Sequence, residues 1–408
     1  MRFLVTAGPT REFADPVRFL SNPSTGKMGF AVARAAARAG HDAVLVAGPV
    51  SLPTPPGVER VDVVSACDML EAVRSRLPEC DALVMCAAVA DWRPARRAAS
   101  KLKKGGMDGT LALVRNPDVL KTLAADKGDR IFAGFAAETG DPGAEAMRKL
   151  REKNLDLIAA NDVSAPGCGF ASETNSVTVY TAFDAPVRIP LMRKSAVAAR
   201  LVRMIGRIAA ARSAPLVLAS KSPRRAKILE SLGVEFTAEP TGAPEISLPH
   251  DPAGTVRANA AAKMRACRAK HPGAAVLAAD TIVWCGGTIY GKPRDAAGAA
   301  AFLGELSGRT HTVFTGVAYC GPDGAERVCT AESHVRFKKL SPRAIARYIA
   351  VANPLDRAGA YDIDEHGSML VEGWTGEYEN IMGLPVAPLR GFLCRPFPVR
   401  KSGERPER

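Results

Sequence analysis

At 408 residues the chain is long enough for two or three domains, each able to bury its own core, and an apolar share of 47% excludes wholesale disorder. The formal net charge of +13 is not gathered on one helix, and aromatics make up only 6% of residues, so the basic balance points to small phosphorylated molecules before nucleic acid. No apolar run approaches the roughly 20 residues of a membrane helix, the N-terminus carries neither a signal h-region nor a cleavage site, and nine cysteines without a CxxC read as reduced thiols; a cytoplasmic protein is expected, with no membrane partner.

Residues 2–7 read as a strand, 27–39 as an Ala-rich helix and 43–47 as a second strand, a β-α-β opening. Further strands are expected at 61–64, 82–86, 131–135 and 155–159, alternating with helices at 68–77, 117–124 and 142–153. This pattern predicts an α/β domain with a doubly wound, Rossmann-like parallel sheet, whose ligands sit beyond the carboxyl ends of the strands. The first turn reads TAGPTRE and lacks GxGxxG, which disfavours a nicotinamide site. Gly26-Lys27 looks like the tail of a P-loop, but Ser21 and Met28 stand where a glycine and a Ser/Thr are needed.

Several residues here carry chemistry and also have a bland reading. Asp91 ends an apolar strand, where it would hold a nucleotide group or metal, or merely cap a turn. Lys101, Lys103 and Lys104 lie in a polar segment, 93–109, long enough to be a lid, although clustered lysines are mostly solvated surface. Lys149 and Lys153 share one helix face, and Glu145 offers Lys149 an ordinary ion pair. Asn116, Pro117 and Asp118 read as a helix start.

The words TAGPTRE, DPVRFLSNPSTGKMG, AAVADWRP, KLKK, NPDVL, GFAAET and KNLDLIAANDV, in order, resemble the phosphopantothenoylcysteine synthetases of coenzyme A biosynthesis. The resemblance implies that a nucleotide, CTP, activates the 4'-phosphopantothenate carboxylate as an acyl nucleotide, which cysteine then captures, with Mg²⁺ or Mn²⁺ assisting. It places Asn22 at the acyl-nucleotide intermediate as the catalytic residue. It places Met85, Cys86, Ala87, Asp91, Lys101, Pro117, Asp118, Val119, Leu120, Phe135, Lys149 and Lys153 at the nucleotide. It also implies a homodimer with small-molecule substrates. No flavin is expected, since nothing like the flavin-dependent decarboxylase often fused to this activity precedes Met1; that step is expected from a separate chain.

Alternating strands at 176–180 and 187–191 and a helix at 195–211 should complete the first sheet, and 212–215 reads as a linker. At 216–219 a buried strand begins the chain anew, followed by Ser222 as N-cap, Pro223 as first helical residue, and Arg224 and Arg225 in the first turn. A basic helix N-terminus after a strand is a phosphate site in prospect. From here LASKSPRRAKILESLGV, TGAPE, AADTIVW, GKPRD, LSGRTHTVFTGVA, DRAGAY and MGLPV resemble the Maf family of nucleoside triphosphate pyrophosphatases. That implies a separate α/β domain with a mixed sheet, which cleaves nucleotides between the α and β phosphates.

Such hydrolysis needs cations on the triphosphate, a metal and a base for water. Ser220, Arg224, Arg225, Lys263 and Lys292 would bind phosphate; Asp280, at a strand end, would activate water, and Glu245 with Asp280 would hold the metal. His311 reads as a buried strand histidine rather than a base. Arg225 and Thr281 agree with the dTTP- and UTP-acting subgroup, whereas Asp364 stands where that subgroup has glutamine, leaving base preference open. A tail at 395–408, Pro-rich and basic, should be disordered. The expectation is a bifunctional ligase (1–211) and pyrophosphatase (216–394); the alternative is a second domain that binds nucleotides without hydrolysing them.

Overall fold

Six parallel strands organise the first half of the computed structural model, which describes residues 1–103, 110–400 and 402–404. In chain order the first unit contains β1 (Arg2–Ala7), β2 (Arg11–Phe13), β3 (Phe19–Ser21), α1 (Lys27–Arg38), β4 (Asp42–Ala47), β5 (Val58–Asp62), α2 (Ala66–Arg76) and β6 (Ala82–Met85). There follow β7 (Trp92–Pro94), β8 (Leu113–Arg115), α3 (Val119–Leu123), β9 (Ile131–Glu138), α4 (Gly143–Glu152), β10 (Leu157–Asp162), β11 (Thr174–Thr181), β12 (Val187–Arg193) and α5 (Lys194–Ser213). The sheet order is β12-β11-β10-β9-β6-β1-β4-β5, with β11 and β12 antiparallel at one edge. The central strands are apolar along their length because helices cover both faces. Phe3, Leu4, Leu45, Leu83 and Phe132 are fully buried there, each stabilising the fold by about 1.5–3 kcal/mol.

Differences from the sequence reading have local causes. The strand expected at 155–159 begins at Leu157, because the Asp156 carboxylate turns aside to accept the Phe132 N–H (2.8 Å) and pair with Lys127 (3.0 Å). The segment 93–109 is not all loop: β7 pairs antiparallel with β8, while Lys101 and Lys103 are exposed outside regular structure. Lys104, Gly105 and Gly106 lie outside the described residues. The long helix continues through Ser213, so the expected linker at 212–215 is half helical.

The chain divides into Met1–Ala209 and Ala210–Arg408. The second unit holds β13 (Leu216–Leu218), α6 (Pro223–Ser231), β14 (Thr237–Ala238), α7 (Pro252–Arg268), β15 (Ala275–Cys285), β16 (Thr288–Tyr290), α8 (Ala296–Leu306), β17 (Thr310–Cys320) and β18 (Glu326–Phe337). It ends in α9 (Pro342–Ala352), β19 (Val371–Thr375), α10 (Tyr378–Ile381) and α11 (Val386–Leu393). Its sheet, β14-β13-β15-β17-β18-β19, is mixed: β13 is parallel to β14 and β15, and the later pairs are antiparallel. No described helix in either unit is long and apolar enough to cross a membrane.

Of the tail expected to be disordered, residues 395–400 and 402–404 are described, and some of these make contacts; residues 401 and 405–408 lie outside the described residues. Phe397 is 7% exposed in the core, Arg400 pairs with Glu379, and the Ser402 hydroxyl accepts the Gly376 N–H at 2.8 Å. An aromatic side chain among the prolines supplies the buried area that a polar tail lacks.

Glu377 carries a pH dependence. Its carboxylate accepts the N–H groups of Val386 and Ala387 at the start of α11, and burial, reinforced by nearby Glu379, raises its pKa from 4.5 to about 7. A carboxyl raised on folding holds its proton more tightly in the native state, so its contribution is complete below pH 4.5 and is lost as pH rises through about 7. The loss amounts to at most about 3 kcal/mol. Stability of this unit is expected to decline from pH 5 to 8 in denaturant titrations, and Glu377→Gln should flatten the decline; an unchanged slope would refute the assignment.

Candidate functional site

Strand order reverses between β1 and β6, and at their carboxyl ends lies a cavity of about 330 Å³, where doubly wound sheets place ligands. Met85, Cys86, Ala87, Asp91, Pro117, Asp118, Val119, Leu120, Phe135, Lys149 and Lys153 all line it. Asn22 and Lys101 do not. The Asn22 amide instead donates to the carbonyls of Ala88 (3.0 Å) and Val89 (3.3 Å), which are part of the wall.

Lys149 and Lys153 are already matched with carboxylates. Lys153 pairs with Asp118 at 2.8 Å, and Asp118 also caps α3 by accepting the Lys121 N–H. Burial pushes the Asp118 pKa up, but Lys153 and that N–H outweigh it and hold it below the usual value. Lys149 meets Glu138 at 2.6 Å and Glu145 at 3.4 Å, so the ordinary ion pair read from the sequence does form, within the cavity wall. Burial lowers the Lys149 pKa, and the two glutamates more than reverse it.

Two cationic features of this wall go beyond the sequence reading, which dismisses Gly26-Lys27 as a P-loop and does not single out Lys194. Helix α1 starts at Gly26, which has φ 77° and provides no side-chain cap; glycine permits this left-handed start, and first-turn N–H groups without a cap form an anion site. Lys194 is 7% exposed and donates to the carbonyls of Gly169 (3.2 Å) and Phe170 (3.0 Å). Burial, with Lys27 nearby, holds its pKa below the usual range. Nothing in the local sequence around Lys194 signals this, since the fold alone brings it to residues 169 and 170.

The second unit has a larger cavity, about 850 Å³, over the α6 N-terminus and the middle of β15. Ser220, Arg224, Arg225, Glu245, Lys263, Asp280, Thr281 and Lys292 line it together. Ser222 and Pro223 begin α6 as the sequence suggests, but the Ser222 hydroxyl makes no cap bond. Arg225 is fixed by the Gly383 carbonyl (2.8 Å), Ser220 (3.0 Å) and Thr281 (3.1 Å). With no carboxylate against it, burial lowers its pKa to about 10, partly offset by Asp280.

Asp280 is 6% exposed, with one oxygen 2.6 Å from Lys263 and the other 3.0 Å from the Asn259 amide. Lys263 also pairs with Glu245 at 2.6 Å and is the main cause of that carboxyl's lowered pKa. The partner of Asp280 across the ladder is Gly316, where an added Cβ would stand 2.2 Å from the Val256 carbonyl. The missing side chain therefore lets α7 lie close enough to deliver Asn259 and Lys263 to Asp280. Among the described residues no three His, Cys, Asp or Glu side chains converge as metal ligands.

His311 is 1% exposed, bonded to the Tyr361 hydroxyl at 2.9 Å, and held by burial at a pKa of about 3. It is a neutral core residue. Asp364 is not in the cavity wall: Lys227 takes it at 2.9 Å and the Tyr378 hydroxyl donates to it at 3.3 Å. Two residues before it, Asp362 does line the wall, 5% exposed and held by Arg357 at 2.8 Å, with Arg224 at 3.7 Å. Asp362 was not singled out, though it directly follows the AGAY motif.

Residues 1–208 match the family described as "DNA/pantothenate metabolism flavoprotein C-terminal domain", and residues 215–395 match "Maf-like protein". Among curated relatives, the coenzyme A biosynthesis bifunctional protein CoaBC of Vibrio vulnificus (strain YJ016) is 47% identical over 205 residues, 50% of this chain and 51% of that protein. CoaBC of Escherichia coli (strain K12) is 49% identical over 198 residues, 48% of each chain. A crystal structure of the C-terminal domain of a CoaBC protein covers 50% of this chain and 93% of its own, at 41% identity and a TM-score of 0.44. The chain spans about half the length of the curated relatives it matches. The expectations of no flavin and of a decarboxylase on a separate chain are withdrawn, because the family is described as part of a flavoprotein and the relatives are named bifunctional. The chain belongs to the family of the DNA/pantothenate metabolism flavoprotein C-terminal domain, with a Maf-like region following it.

Proposed function

We propose that the first unit ligates cysteine to 4'-phosphopantothenate at the expense of CTP, and that the second hydrolyses a nucleoside triphosphate, dTTP or UTP, to monophosphate and pyrophosphate. The observation that carries both readings is shared. Each cavity joins an uncapped helix N-terminus to lysines or arginines, the donor set that a polyphosphate needs.

In the first unit, Lys149 and Lys153 would exchange Glu138 and Asp118 for phosphate oxygens, and the Gly26 end of α1 would receive a second anionic group. The Pro117–Leu120 stretch and Phe135 give the base and ribose an apolar wall. Lys101, outside the wall, would act by closing over the triphosphate. A second copy of the chain would cover Phe19, Leu20, Trp92, Leu113 and Val114, which two short ribbons leave exposed.

In the second unit, Arg224, Arg225 and Lys292 would grip the triphosphate, while Asp280 takes a proton from the attacking water. The residues fit a divalent cation: Glu245 and Asp280 each stand 2.6 Å from one ammonium, so a cation already lies between two carboxylates. Mg²⁺ or Mn²⁺ bound there would neutralise charge on the leaving pyrophosphate.

The test is to incubate the full chain with each common nucleoside triphosphate and Mg²⁺ or Mn²⁺, with and without 4'-phosphopantothenate and cysteine, and follow products by mass spectrometry. Expected are pyrophosphate from dTTP or UTP alone and a cysteine adduct only with CTP. Binding without turnover on any nucleotide would replace the second activity with a regulatory role.

A further inference from the structure

The acids of the second site are joined by a residue that neither motif nor resemblance singles out. Thr255, Asn259 and Lys263 are spaced i, i+4, i+8 and so share one face of α7. Each takes one part of the segment beneath it. Lys263 pairs with Glu245 at 2.6 Å, Asn259 clasps the Ile246 peptide, and the Thr255 hydroxyl accepts the Leu248 N–H at 2.9 Å. The segment has no regular structure, and Ile246 and Leu248 are 50% and 40% exposed, so apolar burial does little to hold it. Thr255 and Asn259, at 2% and 4% exposure, hold it by polar contacts.

Asn259 uses its whole amide. Its oxygen accepts the Ile246 N–H at 2.8 Å; its nitrogen donates to the Ile246 carbonyl at 3.0 Å and to the Asp280 carboxylate at 3.0 Å. The orientation is fixed by the partners, since a flipped amide would set its NH₂ against the Ile246 N–H and its oxygen against a carbonyl and a carboxylate. The result is a closed ring that runs from Asp280 through Lys263, Glu245, the Ile246 peptide and Asn259 back to Asp280.

We propose that Asn259 is the positioning residue of the second site, holding the backbone that carries Glu245 at a set distance from Asp280 with a single side-chain amide. This rests on the hydrolytic reading of the site. Losing Asn259 frees the segment and leaves Asp280 with Lys263 alone, so the pair of acids no longer presents one geometry to a cation or to water.

The experiment compares full-length wild type with Asn259→Leu and Asn259→Ser; serine keeps a polar group in the space but cannot reach both partners. A fall in kcat of about 10- to 100-fold is expected, the size seen when a residue orienting a ligand group is removed, with KM for the nucleotide within about threefold because Arg224, Arg225 and Lys292 are untouched. Hydrogen exchange at residues 245–248 should accelerate about tenfold, equivalent to about 1.4 kcal/mol less for local opening, because both amide contacts to the Ile246 backbone are lost. Wild-type kcat, or a rise in KM alone with unchanged exchange, overturns the proposal. If wild type hydrolyses nothing, the hydrolytic reading fails separately; unchanged exchange in both variants would still overturn the role of Asn259.

Discussion

Asp280→Ala is expected to lower pyrophosphate release from dTTP or UTP by about 10³-fold, within the range for loss of a general base, while CTP-dependent ligation stays at the wild-type rate. Asp280 lies mid-strand in β15 with almost no solvent contact, and its two oxygens face an ammonium and an amide. A carboxylate offers about four acceptor sites, so these two partners leave room for a water to bond to it. Deleting the carboxylate leaves Lys263 with Glu245 alone and opens a void, so part of the loss in the alanine variant would come from the fold. Asp280→Asn separates the effects, because it keeps volume and removes only the charge and the proton-accepting ability. The same loss in the asparagine variant, at an unchanged melting temperature, supports the role in water activation. Substantial hydrolysis by Asp280→Asn would move the base elsewhere in the wall, with Glu245 next in line.

The parts of this architecture that the sequence carries openly are those with a strong local signature. The apolar strands 2–7, 43–47 and 82–86 and the Ser222-Pro223 helix start need no tertiary information, and they form within a residue or two of expectation. What it conceals depends on long-range contact. Lys194 stands just before the helix expected at 195–211 and carries no signal of its own until residues 169 and 170 fold against it. Asn259 sits in an Ala-rich helix whose polar residues look like solvent face, and only the close approach allowed by Gly316 turns it to Asp280. Asp364 departs in the opposite direction: Lys227 pairs with it outside the cavity wall, while Asp362, two residues earlier, lines the wall. In the Pro-rich tail one aromatic, Phe397, is buried despite the composition around it.

These corrections also bear on base preference. With Asp364 turned away, the expected conflict between an acid and a base carbonyl loses its geometric basis, and Thr281 and Arg225 remain as the wall residues shared with the dTTP- and UTP-acting pattern. Asp364→Gln should therefore leave the ranking of nucleotides unchanged. A switch in that ranking would return Asp364 to the site.

For the first unit, the largest expected effect is at Asn22. Asn22→Ala should form acyl nucleotide from CTP and 4'-phosphopantothenate yet lose about 10²-fold in cysteine adduct, comparable to removing one preorganised donor to a developing oxyanion. In the structure both amide protons are spent on the Ala88 and Val89 carbonyls. Two routes lead from there to the same loss. Either the amide turns from those carbonyls to the intermediate, or it holds the 88–89 backbone in place and the backbone shapes the pocket. Asn22→Asp distinguishes them: a carboxylate cannot donate to either carbonyl and would repel both, so under the second route it should impair acyl-nucleotide formation as well. Under the first it should impair only capture by cysteine. The measurement is pyrophosphate release without cysteine set against adduct formation with it. Normal adduct formation by Asn22→Ala would remove Asn22 from the reaction and leave the ligase chemistry to Lys149, Lys153 and the α1 terminus.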